Sequence, residues 1–266
     1  MKFSIVTLAF KQREFLRQAI DSVLSQDYPE IEYIVVEPGS NDGSRELIEE
    51  YGDRIPHKIF EPDRGAADGL NKGFARATGD IFAFLNADDL LLPHAIRHVA
   101  EFLERNPECD MVMGDGFIVD QSGKTIRHVK ATSFSISRYL LGGSNWMQQS
   151  TFFRRGAFQA VGGFNPENLS CWDGELFVSM AARGAKIGVL RRDLSIFRVH
   201  PGSITGSGRA WDTYLADSDR IFRQIRGRAR RGSDRWFSHY YRIERLLRDP
   251  GELVQAVRYR IHRRLP

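Results

Sequence analysis

Asn86-Ala87-Asp88-Asp89 places an amide and two carboxylates within four residues, directly after the apolar run Ile81 to Leu85. Carboxylates at a strand end can hold a hard divalent cation such as Mn2+ or Mg2+, which prefers oxygen ligands and bridges readily to phosphate. A departing nucleoside diphosphate is a leaving group whose charge such a cation neutralises. The same carboxylates also suit a plainer task, because an Asp ahead of Pro93 and its helix stabilises the helix start. Asp68 and Lys72 form a second constellation, spaced i and i+4 on one helix, where a surface ion pair contributes about 0.3 kcal/mol.

The elements that must position these residues alternate along the first half of the chain. Phe3 to Leu8 is a short β-branched and aromatic run suited to a buried strand. Gln12 to Gln26 repeats its apolar residues on one helical face, through Phe15/Leu16, Ala19/Ile20 and Val23/Leu24. Ile31 to Val36 predicts a second buried strand. The turn-rich stretch Pro38 to Ser44 follows, with Asp42 or Ser44 able to cap a helix running to Tyr51. His57 to Phe60, a helix over Gly65 to Ala77, the strand Ile81 to Leu85 and a helix from Pro93 to Asn106 complete the series. Repeated βα units predict a parallel sheet with helices on both faces. Ligands bind such sheets beyond the carboxyl ends of the strands. Those ends are Thr7-Leu8-Ala9, Glu37 to Asp42, Glu61 to Arg64 and Asn86 to Asp89, so polar and acidic residues gather along one edge.

The second half changes character. Met111 to Val119 and Thr125 to Val129 predict a hairpin through Gln121-Ser122-Gly123-Lys124. Asp173 to Arg183 predicts a short helix, and Leu194 to Val199 a strand leading into His200-Pro201-Gly202.

The chain's 266 residues, 42% hydrophobic and 27% charged, have ordinary globular composition and can bury one substantial core or two lobes sharing a cleft. Cys109 and Cys171 stand far apart, with no CxxC spacing and no neighbouring His, so both are expected as reduced thiols rather than zinc ligands. Phe3 to Phe10 is ended by Lys11, Arg13 and Glu14 before a signal core could form, and no segment reaches the roughly 20 apolar residues of a spanning helix. A cytoplasmic protein, held at most peripherally on a membrane, is the expectation. Residues 220–266 hold 14 Arg against Asp234, Glu244, Asp249 and Glu252, a balance of +10 that leaves −6 for residues 1–219 of the chain's +4. Apolar and aromatic residues from Tyr240 to Ile261 are interleaved with these arginines, as in one or two amphipathic helices split by Pro250-Gly251. Such a tail suits anionic lipid headgroups or packs back on the body. It carries no recognised nucleic-acid motif, and no nucleic-acid partner is expected.

Six segments together resemble the family 2 glycosyltransferases of GT-A fold, over about residues 3–205. They are Ser4 to Thr7, Ala19 to Gln26, Tyr33 to Ser44, Glu61 to Gly73, Ala77 to Asp80 and Phe84 to Asp89, in the family's order and spacing. The resemblance implies an α/β, mostly parallel Rossmann-like sheet over residues 1–219, followed by a C-terminal helical extension over 220–266. A nucleotide-sugar-binding half would span about 1–112 and an acceptor-binding half about 113–219. It implies transfer of a sugar from a nucleotide diphosphate donor, most often a UDP-sugar, to a hydroxyl, with inversion and with Mn2+ or Mg2+. The acceptor would be a saccharide or lipid-linked saccharide of cell-surface polysaccharide or glycolipid assembly.

The same resemblance puts Thr7, Ala9, Glu37, Asp42, Asp68, Asn86, Ala87 and Asp88 at the donor. Glu37 stands where the family usually has Asp, and Asn86 departs from an Asp-X-Asp motif, which moves the metal contact to Asp88 and leaves Asp89 to place the loop. Asn71 would share the helix face of Asp68. His200, in the family's closing motif through Thr205, would assist at the metal or diphosphate, and Arg198 is either a phosphate partner or a structural arginine. Asp173 aligns with the family's base, with Trp172, Glu175 and Gln149 on the acceptor side and Glu175 as a second candidate base; Asp173 can equally stabilise its own helix. Two other functions share some features. A nucleotidyltransferase predicts a Gly-rich basic loop after the first strand, whereas Ala9 to Arg13 has no glycine. A non-catalytic nucleotide-sugar binder is favoured by Asn86 and Glu37 and opposed by Asp88, Asp173 and His200.

Overall fold

The computed structural model describes residues 1–203, 211–248 and 251. Four strands set the frame: β1 (Phe3–Leu8), β2 (Ile31–Val36), β3 (His57–Ile59) and β4 (Ile81–Asn86). They run parallel in the order β3-β2-β1-β4. Leu8 pairs with both Val36 and Asn86, and Val36 with Ile59, so all four strands end at one level. The loops that carry the polar strand-end residues therefore open on a common edge.

Alternate side chains of these strands enter opposite cores. Phe3, Ile5, Tyr33, Val35, Ile81, Ala83 and Leu85 pack beneath the apolar faces of α1 (Arg13–Leu24), α2 (Ser44–Glu49) and α4 (Ala95–Arg105). Val6, Ile34, Val36, Phe82 and Phe84 pack against α3 (Ala66–Arg76) and α7 (Trp172–Ala182). Apolar residues on both faces are what a parallel sheet between two helical layers requires. Two expected helix starts shift. Pro93 lies ahead of the first turn of α4, whose cap is His94 in a left-handed conformation (φ 64°). At α2 the cap is Gly43, and Asp42 supports it by accepting from the Ser44 N–H at 3.1 Å.

The second half extends the sheet through strands of mixed direction. β8 (Thr151–Arg154) pairs antiparallel with β4, and β6 (Met111–Val119) antiparallel with β8 and with β7 (Thr125–Val129) in the expected hairpin. β9 (Ile187–Arg198) is longer than the sequence predicts, lies parallel to β6, and holds the short β5 (Leu90–Leu91) antiparallel on its far edge. The β6–β9 register slips twice, at Gly114/Asp115 and Asp115/Gly116. A Cβ on Gly116 would lie 2.5 Å from the Ser195 carbonyl oxygen, so only glycine permits this approach. That bend delivers the end of β9 to the loop after β4.

Short helices α5 (Ile136–Leu140) and α6 (Arg155–Ala160), which the sequence does not announce, fill the gaps around α7. Two long helices follow, α8 (Trp211–Arg226) and α9 (Gly232–Arg248). α8 runs through the expected boundary at residues 219/220, and its Ile221 and Phe222 are buried against Leu140, Leu141, Cys171 and Val178. The basic tail thus begins inside a packed helix. Its sequence from 252 onward, with Leu253 to Ile261, lies outside the described residues, as does Thr205.

Candidate functional site

A cavity of 870 Å³ opens at the carboxyl ends of β1 and β4, with Leu8, Phe10, Gln12, Pro38, Asn86 and Asp88 on its sheet side. Asp63 and Gly65 line it near α3, and Gln148, Gln149, Ser170, Trp172 and Asp173 line it as well. Arg127, from the β6–β7 hairpin, also lines it.

Two adjacent carboxylates at the end of β4 meet different fates. Asp89 is fully buried and accepts from Gln149 Nε2 at 2.6 Å, the Arg198 N–H at 3.0 Å and Asn86 Nδ2 at 3.2 Å. Burial pushes its pKa well above the usual carboxylate range, and the neighbouring charge of Asp88 adds to that. Asp88 lines the cavity, and its Oδ2 lies 3.1 Å from His200 Nε2, which the end of β9 brings across 112 positions of sequence. The His200 ring rests against Phe15, centroids 4.8 Å apart. Lost hydration raises the Asp88 pKa, while His200 pulls it down. Among the described residues no three His, Cys, Asp or Glu side chains form a metal cage. One carboxylate and one imidazole beside an open cavity fit a divalent cation that takes its remaining ligands from a diphosphate and water. Asp88 and His200 would hold it.

Asp173 occupies the first turn of α7 and accepts from the Gly174 N–H at 2.7 Å. It borders the cavity and is half-buried, and desolvation pushes its pKa up to about 6. Among the described residues no cationic side chain offsets that rise. Trp172 lines the same cavity, yet its ring is largely committed to the core, 5.3 Å from Phe84 and 5.7 Å from Phe164.

Several expected site residues serve the scaffold instead. Thr7 shares the parity of Phe3 and Ile5, so its side chain enters the core and accepts from the Tyr33 hydroxyl at 2.9 Å. Ala9 and Ala87 are likewise buried, with their N–H groups donated to Val36 O and Leu8 O at 2.9 and 3.1 Å. Glu37 is buried and accepts from the N–H groups of Gly39 and Ser40, which folds its own loop. Asp42 accepts from Arg13 N and Ser44 N, pinning α1 to α2. Asp68 reaches back from α3 to the Arg64 N–H at 3.0 Å, the reciprocal half of a capping arrangement. Asn71 exchanges two hydrogen bonds with the Phe164 backbone. None of these seven side chains lines the cavity.

Glu175 is a correction of a different kind. Although burial alone would raise its pKa, the Arg220 fork (2.6 and 2.8 Å) with Asn168 and Asn165 lowers it. It locks α8 to α7 and is not a base in the cavity. Arg198 is structural too, donating through Nε to Asp88 O and through its terminal nitrogens to Gln18 and Gln121. Asp63, Gln12, Gln148 and Arg127 line the cavity without having been singled out. Asp63 was legible, since it follows the third strand; lost hydration raises its pKa. Arg127 gave no signal, because only the hairpin register, opposite Ile118, aims it inward.

The chain matches the family model for glycosyl transferase family 2 over residues 4–161. An uncharacterized glycosyltransferase of Nostoc sp. is 30% identical over 75% of this chain; the match spans 65% of that protein's length, just under two thirds. Staphylococcus aureus TarS (residues 1–349) in complex with UDP-GlcNAc superposes with a TM-score of 0.67 at 17% identity, over 92% of this chain and 72% of that one. The mannosyltransferase PcManGT of Pyrobaculum calidifontis, in complex with GDP-Man and Mn2+, gives 0.64 at 17% identity over 92% and 69%. At such identities these two likenesses speak for the GT-A fold. The strand-end cavity, the order of the six motifs and the extent of the family match together place this chain in glycosyl transferase family 2.

Proposed function

We propose that the chain transfers a sugar from a nucleotide diphosphate donor to an acceptor hydroxyl, with inversion at the anomeric carbon. One observation carries this reading: Asp88 and Asp173 border a single cavity, one suited to a cation-bound diphosphate and the other desolvated and, among the described residues, without a cationic partner. Asp173 would take the proton from the acceptor hydroxyl as its oxygen bonds to the anomeric carbon. The bond from that carbon to the diphosphate oxygen breaks in the same displacement, and its electron pair leaves with the nucleotide. A carboxyl near 6 is ionised at neutral pH yet basic enough to help. A bound Mn2+ or Mg2+ would neutralise charge on the leaving diphosphate. The protein holds both groups in place beforehand, Asp88 through His200 and through the Arg198 guanidinium, which donates to its backbone carbonyl, and Asp173 through the first turn of α7.

The UDP and UDP-GlcNAc complexes of TarS support a uridine donor, and the Mn2+ in PcManGT supports a divalent ion. Trp146, which lines the cavity, fits an acceptor sugar ring, as a saccharide or lipid-linked saccharide acceptor would need. Thermal-shift screening of nucleotide sugars with and without Mn2+ should raise the melting temperature for one donor only when the metal is present. Release of nucleoside diphosphate must follow on adding acceptor. Stabilisation without any such release would reduce the protein to a binder.

A further inference from the structure

The two C-terminal helices present an apolar surface that the body does not cover. On α9, Trp236, Tyr240, Ile243 and Leu247 are 65, 52, 58 and 78% exposed. Their 4-3-4 spacing aligns them in one stripe along the helix. Trp236 and Tyr240 stack nearly parallel, at 10° with centroids 6.3 Å apart. Packing sets the outward direction of this stripe. On the adjoining flank Glu244 accepts from Arg138 at 2.9 Å, and the Arg138 guanidinium lies 5.5 Å from the Tyr241 ring. Trp211, Tyr214 and Leu215 of α8 are exposed as well.

The charge around the stripe is one-sided. Asp217, Asp219, Asp234 and Glu244 are each paired with an arginine. Asp212, at the far start of α8, is the exposed exception. Arg223, Arg231, Arg235 and Arg242 are exposed, and none forms an ion pair among the described residues. Arg235 and Arg242 lie on the flank of α9 opposite Glu244, about 100° to 120° round from the stripe at 100° per residue. An aromatic and aliphatic stripe bordered by unpaired arginines is the pattern of a helix lying in a membrane interface, with rings at the headgroup level and guanidinium groups reaching the phosphates.

We propose that α9, with the start of α8, docks this protein on an anionic lipid bilayer. The surface fits a bilayer better than a nucleic acid, because phosphate-backbone binding gives no use to an exposed apolar stripe. Helix α8 also touches the lining of the cavity. Ser170, which borders the cavity, donates to Asp217 of α8 at 2.7 Å.

Co-sedimentation of the full chain with vesicles tests this. Vesicles of equal parts phosphatidylcholine and phosphatidylglycerol should carry the protein down, and phosphatidylcholine alone should not. Arg235→Glu with Arg242→Glu should lower the partition coefficient at least about 25-fold, since each well-placed basic residue contributes about fivefold. Trp236→Ser with Tyr240→Ser should remove most of the remaining binding. All four positions are exposed, so melting temperatures and helical circular dichroism should match the unmodified chain. The proposal is overturned by failure of the unmodified chain to bind, or by equal binding to neutral vesicles. It is overturned equally by a dimer in light scattering that the Trp236/Tyr240 pair of substitutions splits. Duplex DNA binding that depends on the arginines but not on Trp236 and Tyr240, in place of vesicle binding, would also sink it.

Discussion

The loop after β4 and the first turn of α7 each set two carboxylates within three residues and give them opposite tasks. In each, one carboxylate borders the cavity, Asp88 or Asp173, and the other is consumed by the scaffold, Asp89 or Glu175. The consumed pair differ in turn. Asp89 is held by amides and a backbone N–H, and burial raises its pKa; Glu175 is held by the Arg220 guanidinium, which outweighs burial and lowers it. At these two positions the guanidinium offsets the burial of Glu175, whereas the amide and N–H donors at Asp89 do not offset its own. The loop therefore concentrates its anionic role on Asp88, while α7 separates a firmly ionised anchor from a carboxyl poised near neutrality, the base of the proposed transfer.

Substitution of the cavity-side members should have the largest effects. Asp88→Ala should lower kcat by roughly 10³-fold, the range seen on losing one preorganised group that stabilises transition-state charge. It should also abolish Mn2+-dependent donor binding in calorimetry, whereas Asp173→Ala should leave donor binding intact. Equal loss of donor affinity in both variants would erase the distinction between the two carboxylates.

Asp173→Asn should cut kcat by roughly 10² to 10⁴-fold and yet stabilise the fold. The folded Asp173 carboxyl titrates near 6 against an ordinary value near 3.8, so the native state binds the extra proton between those values. Wild-type stability from this group is thus fully present below about pH 4 and falls as pH rises through 6. The Asn variant avoids that loss and should gain up to about 3 kcal/mol at pH 7, vanishing below pH 4. Denaturant melts at pH 4 and pH 7 measure it. The rate of the unmodified enzyme should climb with an apparent pKa near 6, and a flat acid limb would remove Asp173 as the base.

Arg220→Ala should reverse that pattern. It strands Glu175 without its cation and should destabilise by about 3 kcal/mol, discounted toward 2 because the arginine is partly exposed. Turnover of the folded fraction should change less than about threefold, since neither residue lines the cavity. Asp89→Asn should be the mildest, within about 1 kcal/mol, because the Gln149 amide can turn its oxygen toward the new side-chain NH₂. A loss as large as that of Asp88→Ala would mean that Asp89 also carries charge into the site.

Much of this was legible in the chain itself. The four parallel strands, their helices and the acidic strand ends follow from apolar runs and 3.6-residue periodicity, which are local properties. The division of labour between Asp88 and Asp89 came instead from the resemblance to the family, and the three hydrogen bonds that Asp89 accepts accord with its part of it. Residues 252–266 carry the same amphipathic pattern, but lie outside the described structure.

Local pattern could not say which way a strand-end side chain faces. Thr7 and Leu8 are adjacent polar and apolar residues, yet sheet parity sends Thr7 to Tyr33 and turns Leu8 to the cavity. Nor could it separate Asp173 from Glu175, because the distinguishing partner is Arg220, 45 positions away on a helix whose packing depends on Ile221 and Phe222. His200 reaches Asp88 only because β9 bends where Gly114 and Gly116 let it approach β6. The sequence determined where carboxylates gather, because strand and helix periods are written in neighbouring residues. Tertiary structure decided which of them meet substrate, because solvation and charge partners come from residues far apart in the chain.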